Sequence, residues 1–340
     1  MSLPPSEIPS GAMRFNSDSQ KLEYWNGSQW VQVHTFSPNL DGGARGVFAG
    51  GQEAPTIHGD IEYINIASTG NSVDFGADLT TARRRGSAFS SNTRGVFNGG
   101  STPVASSVQD YITISSTGTC TAWGDTLNNT GSCDNAAFSN STRGITKAGY
   151  TSPGVTGGTM DYVTIASAGN TVNFGNLIDN GDASGAASNS VRGLFGGCFT
   201  SPTTGNNVIT FVTIATLGDA IDFGDLTQAR HSPACVSSKI RAVWAAGGNN
   251  VPTWYNIIDY VNISTLGNAV NFGDIIGNMS TGSGVSNCIR GVFAGGYTPA
   301  SSDVIQYINI STEGDAVDFG DLTVRSGGKG MSCSNAHGGL

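Results

Sequence analysis

In the stretch Tyr63-Ile64-Asn65-Ile66, the two isoleucines fall on one face of an extended chain and Tyr63 and Asn65 on the other. A period of two predicts a half-buried β-strand rather than a helix. The same alternation returns along the chain as DYITISS, DYVTIAS, TFVTIAT, DYVNIST and QYINIST. About eighteen residues before each of these lines stands another apolar run: RGVFAGG, RGVFNGG, RGITKAG, RGLFGGC, RAVWAAGG and again RGVFAGG. Their arginines, Arg45, Arg94, Arg143, Arg192, Arg241 and Arg290, are each 49 residues apart. A third line closes each unit around a large aromatic: Phe75, Trp123, Phe174, Phe223, Phe272 and Phe319. Six units on a fixed period are an internal duplication, and duplication at this length predicts a repeat architecture.

Each unit carries four short apolar stretches separated by turn residues. The second and third lines are joined by Gly followed by Asn or Asp in most units, which predicts hairpins with positive φ. Four strands make one small antiparallel sheet that cannot bury both faces alone but can when packed against copies of itself. The fold expected is all-β: a six-bladed β-propeller of four-stranded blades over 45–340, with a small β-meander over 1–44. The chain enters the first blade at Arg45 without a preceding first strand. CSNAHGG near residue 340 matches SSNTRGV, with His337 at the arginine position, so the last strand is expected to complete the first blade. The recurring aromatics are expected to be core.

Composition narrows the classes. Glycine supplies 49 of 340 residues and charged residues only 12%, which suits turn-rich β structure. A net charge of −9 argues against nucleic acid as partner. No apolar run is long enough for a membrane-spanning helix, and the start lacks the pattern of a signal peptide. Cys120, Cys133, Cys198, Cys235, Cys288 and Cys333 fall at differing places in the repeat, so free thiols are expected rather than disulfides or a metal site. The four histidines are scattered. No catalytic constellation is recognisable, and no enzyme activity, metal or cofactor is expected. A carboxylate pair of the glycosidase kind facing the channel stays open.

The two ends of the sheets differ in sequence. Turns such as SNTRG and SNSVRG recur, whereas the loops QEAPTIHGD, YTSPGVTGGTM, CFTSPTTGNNV and NNVPTWYNI differ in every unit. The varied end is therefore the expected recognition face. Its candidates are His58, Arg83, Arg84, Arg85, Tyr150, Phe199, Arg230, Trp254, Tyr255 and Tyr297: rigid aromatics and cations among small polar groups. Solvated loop tips are the plainer reading. The six repeated arginines either form an anion-binding ring or tie their turns to neighbouring carbonyls or carboxylates, and their recurrence favours ties. The Asp of the FGD line reads as turn chemistry.

Glycine pairs, a tyrosine strand, an aromatic and then LTTAR or LTQAR resemble the Kelch repeat across residues 45 to 340, although units three and five lack that arginine. The resemblance implies a propeller. Residues 1–44, with Arg14-Phe15-Asn16, Leu22-Glu23, Asn26-Gly27 and Trp30, resemble a short module of tailed-phage structural proteins, and lines such as DYITISSTG resemble repeats of cyanophage virion proteins. These resemblances imply a virion component, a tail or capsid fibre or adhesin. It would join other virion proteins through Phe15, Tyr24, Trp25 and Trp30 of residues 1–44. Its varied face would meet a host-surface glycan or protein, with oligomerisation in the virion open. A cellular Kelch-type scaffold is the alternative.

Overall fold

A computed structural model describes residues 8–16, 21–32, 44–125, 133–151, 155–200, 204–249, 253–327 and 331–340. The loop tips at 126–132, 152–154, 201–203 and 250–252, and the join at 33–43, lie outside the described residues. The chain divides into two compact units, Met1–Leu40 and Asp41–Leu340.

The first unit is a three-stranded meander, Met13–Asn16, Lys21–Trp25 and Trp30–Gln32. The second hairpin turns at Asn26-Gly27: the Asn26 amide oxygen accepts from the Ser28 and Gln29 backbone amides, and Gly27 takes φ of 100°. Trp25 is buried, 5.5 Å from the Trp30 ring. Arg14 stacks on Trp30 and pairs with Glu23 at 2.9 Å.

The second unit is all-β, with six four-stranded antiparallel sheets. Sheet 1 comprises Met331–Ser334, Arg45–Glu53, Thr56–Asn65 and Val73–Asp78. Sheet 2 runs Ser87–Ser90, Arg94–Asn98, Val108–Thr113 and Cys120–Asp125; sheet 3, Ala136–Ser139, Arg143–Lys147, Thr159–Thr164 and Val172–Asn176. Sheet 4 is Gly185–Ser188, Arg192–Thr200, Thr204–Thr213 and Ile221–Arg230. Sheet 5 is Ala234–Ser237, Arg241–Ala245, Tyr255–Asn262 and Val270–Met279, and sheet 6 is Ser283–Ser286, Arg290–Ala294, Ser302–Asn309 and Val317–Ser326. The fourth stretch of each sequence period thus becomes the first strand of the next sheet. Met331–Ser334 pairs antiparallel with Gly46–Ala49, so the last described strand completes the first sheet.

The core lies in the seams between sheets. Each of six hydrophobic clusters joins residues of two neighbouring sheets, for example Phe75 with Phe97 and Ile114 across seam 1/2. Phe319 meets Ile66 and Phe48 across seam 6/1 in the same way. All six repeated aromatics are buried, and each meets the ring of its third strand edge-on, as Phe272 meets Tyr260 at 5.7 Å. These contacts lie where alternation placed them.

Polar ties repeat at the seams as well. Arg45, Arg94, Arg143, Arg192 and Arg241 donate to the carbonyls of Ile114, Ile165, Ile214, Ile263 and Ile310 in the following sheet, and Arg290 donates to Ile66 of sheet 1. Each guanidinium lies over an aromatic ring of its own sheet. The arginines are thus ties to neighbouring carbonyls, as their recurrence favours, and each carbonyl belongs to the next sheet. First strands are joined through serines: the Ser139 hydroxyl donates to the Ser90 carbonyl, Ser188 to Ser139, Ser286 to Ser237, Ser334 to Ser286 and Ser90 to Ser334.

Two findings depart from the sequence reading. In the hairpins between third and fourth strands the glycine alone takes positive φ, as Gly218 does at 158°. The Asn or Asp after it uses its side chain instead, accepting from a backbone amide of the preceding sheet: Asp219 from Asn176, Asn268 from Asp225 and Asn71 from Asp321. The Asp of the FGD line lies inside the fourth strand, so it is not a turn residue.

Candidate functional site

In an antiparallel meander, the turns from second to third strand share one end with the linkers that leave the fourth strand. This linker end carries the loops that vary. Between the first strands it opens into a hollow of about 700 Å³, counting its solvent-filled mouth, lined by Arg85, Asp134, Ser184, Ser232, Thr281 and small residues below them. The mouth is built from the linkers. Arg85, Asp134, Ala183, Ser232 and Thr281, one per period, sit at φ between 52° and 60°. Among non-glycine residues this left-handed conformation is uncommon. It turns each amide onto its predecessor: Asp134 donates to Arg85, Ala183 to Asp134, Ser232 to Ala183 and Thr281 to Ser232.

Ala88, Ala137, Ala186, Cys235, Gly284 and Ser332 line both this hollow and a second one, which His337 also lines. The His337 ring lies 3.3 Å from the Ser139 hydroxyl and 3.4 Å from the Ser90 carbonyl. Gly338 and Gly339 lie against the Ser238 and Ser139 carbonyls, with no room for a side chain. Residues 337–339 thus cross the turn end of the second hollow. Desolvation pushes the His337 pKa down to about 4.

Charge concentrates along the mouth from sheet 2 to sheet 4. Arg85 pairs with Asp134 at 2.6 Å. Burial, with the Asp134 carboxylate nearby, raises Asp182 to about 6. Lys147 is buried, and its ammonium nitrogen lies 2.6 Å from the Ser184 hydroxyl oxygen. Burial is the main cause that lowers its pKa. Cys198 faces Asp179, whose carboxylate also accepts from the Asn206 amide. Loss of solvent pushes that thiol up to about 12, so it is no thiolate at neutral pH. All six cysteines are free thiols.

No family model matches this chain, and no curated protein does.

The expected recognition residues divide into three groups. Arg83 and Arg230 are wholly buried, and this overturns their reading as face residues. Arg83 pairs with Asp110 at 2.6 Å and donates to the Gly99, Phe97 and Thr81 carbonyls. Arg230 pairs with Asp259 at 2.9 Å. Both carboxylates sit in third strands at a break in register, between Gln109 and Asp110 and between Ile258 and Asp259. Such a bulge re-aims a side chain, here across the seam. Two buried charges so placed are structural. In the module, Trp25 is likewise core and not surface, while Phe15 and Tyr24 are exposed and Trp30 is half-buried.

The second group pairs across seams at the linker end. Phe199 meets His231 edge-on at 4.9 Å, and Trp254 meets Tyr297 at 6.1 Å. Tyr297 and Tyr150 are the most exposed of these rings, near 40%. The third group stands apart: His58 lies 3.5 Å from Asp60 on sheet 1, Arg84 is half-buried, and Tyr255 sits half-buried opposite Met279. Arg85 is exposed at the hollow.

Sequence reasoning missed Lys147, Asp179, Asp182, Ser184 and Cys198. One signal was present. Lys147 stands where the other units have Ala49, Asn98, Gly196, Ala245 and Ala294, and Cys198 where all five others have glycine. The turn end also varies more than expected, with exposed Val191, Ile240 and Ile289 where earlier units have Thr93 and Thr142.

Proposed function

We propose that residues 45–340 form a closed six-bladed β-propeller of Kelch-like kind, and that the protein is a virion component of a tailed phage. In this reading the linker end recognises the host surface and residues 1–44 attach the chain to other virion proteins. The support for closure is that sheet 6 makes to sheet 1 the arginine, serine, hairpin and aromatic contacts found at the other seams. The phage assignment rests on the resemblances of the module and of the repeat lines.

One observation carries the recognition role. The arginine and serine ties that hold the seams recur from unit to unit, whereas among the described residues the aromatic pairs Phe199–His231 and Trp254–Tyr297 have no counterpart at other seams and lie at the linker end. Partly exposed rings held by an edge-on neighbour are pre-organised, which limits the entropy lost on contact and suits them to the apolar faces of sugar rings or to a protein epitope.

The experiment is adsorption of assembled particles. Trp254→Ala with Tyr297→Ala is expected to leave the particle intact and to weaken adsorption, where loss of a single anchor costs about 2 kcal/mol or more. Deleting residues 1–40 is expected to leave a folded propeller that no longer enters the particle. Normal adsorption by the loop variant, with continued incorporation of the truncated chain, would favour a cellular scaffold instead.

A further inference from the structure

We propose that Ser184 and Lys147 are a nucleophile and its base, and that the linker-end hollow accepts acyl groups from small uncharged esters. The inference goes beyond host recognition and does not depend on it.

The geometry carries it. Lys147 ends the second strand of sheet 3, and Ser184 lies in the linker just before the first strand of sheet 4, so the seam itself brings them to 2.6 Å. Ser184 is half-buried and lines the hollow, while the lysine behind it is 3% exposed. An amine that solvent cannot reach, touching a hydroxyl that a ligand can reach, is the arrangement a serine nucleophile needs. The equivalent positions at seam 2/3 hold Asn98 and Asn135, where the Asn135 amide donates to the Asn98 carbonyl. There a side-chain amide and a backbone carbonyl tie the seam, and the Asn98 amide donates to the Thr146 hydroxyl, without a titratable group. Around Lys147 stand Asp179 and Asp182 from the sheet 3–4 linker and Cys198 from sheet 4. None of these is in ion-pair contact with the lysine among the described residues. Burial lowers the lysine, so the neutral amine is more accessible than in an exposed lysine.

The chemistry balances without a further reactant. The Ser184 oxygen attacks the ester carbonyl carbon while neutral Lys147 takes the hydroxyl proton. The tetrahedral adduct collapses, the C–O bond to the alcohol breaks, and the leaving oxygen takes the proton back from Lys147. Water then adds to the Ser184 acyl ester by the same route, releasing the acid and restoring both groups. Around Ser184 the hollow is lined mostly by small and hydroxyl-bearing residues and is open at its mouth, which gives a short acyl group such as acetyl access to the hydroxyl.

The test is p-nitrophenyl acetate with the full chain. A burst of nitrophenolate is expected, with an acetyl group on the peptide that contains Ser184, found by mass spectrometry after acid quench. Ser184→Ala should abolish the burst. Lys147→Met should slow acylation about a hundredfold or more, in the range expected for loss of a general base. In the native chain, acylation should rise with pH through a titration below that of an ordinary lysine. Retained thermal unfolding in each variant separates lost chemistry from lost structure. No burst, or acetyl on Lys147 or a cysteine with Ser184 unmodified, overturns the proposal. So does an unchanged acylation rate in a folded Ser184→Ala variant.

Discussion

A Cβ at Gly193 would overlap the Phe138 ring of the preceding sheet, and one at Gly144 would overlap Phe89. The glycine of each Arg-Gly line thus receives a side chain from the sheet before it: Val236 at Gly291, Val285 at Gly46 and Cys333 at Gly95. The one departure, Ala242, belongs to the same buried cluster as Ala187, the small residue at the matching place in the sheet before. Volume is conserved across the seam, not within a sheet. Gly193→Ala should therefore cost about 1–3 kcal/mol by overpacking, measured by urea denaturation. The double variant with Phe138→Ala should lose less stability than the sum of the two single losses, because one substitution makes the room the other needs. Titration follows the same logic of place. His337 resists protonation until about pH 4, against 6.5 in an unfolded chain. Its contribution to stability is full above 6.5 and is lost as pH falls toward 4. Asp182 runs the other way: held at about 6 against 3.8, it favours folding below 3.8 and loses that contribution as pH rises through 6. Unfolding midpoints measured between pH 4 and 7 should lose part of their acid-side decline in His337→Gln. They should lose part of their decline above pH 4 in Asp182→Asn.

Strands were the most legible elements. Alternation in YINI and its counterparts placed the third strands and their buried faces, because a period of two needs no knowledge of the partner. The closing strand was legible for a different reason: CSNAHGG repeats a line whose place in the unit was already known. Its pairing with Gly46–Ala49 makes deletion of residues 331–340 a test of the element. That deletion leaves Arg45–Glu53 without its neighbour on one edge and uncovers the Phe97 and Ile112 side chains packed against Met331 and Cys333. Loss of a single sharp thermal transition, or aggregation on heating, is the expected result. Linkers were least legible. In TTARRRGS the three arginines look alike, yet Arg83 is wholly buried, Arg84 is half-buried and Arg85 is exposed at the hollow. What separates them is Asp110, which belongs to the next copy and is aimed by a bulge that no local pattern announces.

For the second unit as a whole, stability is distributed over six seams, each with its own apolar cluster and polar ties, and no single interior holds the rest. This explains why the candidate site escaped a reading that searched for motifs. Ser184 and Lys147 are 37 residues apart and on neighbouring sheets, and only the register of copies brings them together. A comparison of the copies with one another, position by position, was the available signal. The offset of one strand between the sequence period and the sheet has a consequence for descent. Unequal crossing-over between adjacent copies removes or adds 49 residues, and with them one sheet's worth of strands. An in-register exchange still leaves a second strand at the start of the copies and a first strand at their end, since either is replaced by its own counterpart. A chain that lost or gained copies in this way would keep the same joining pair and differ only in its number of sheets.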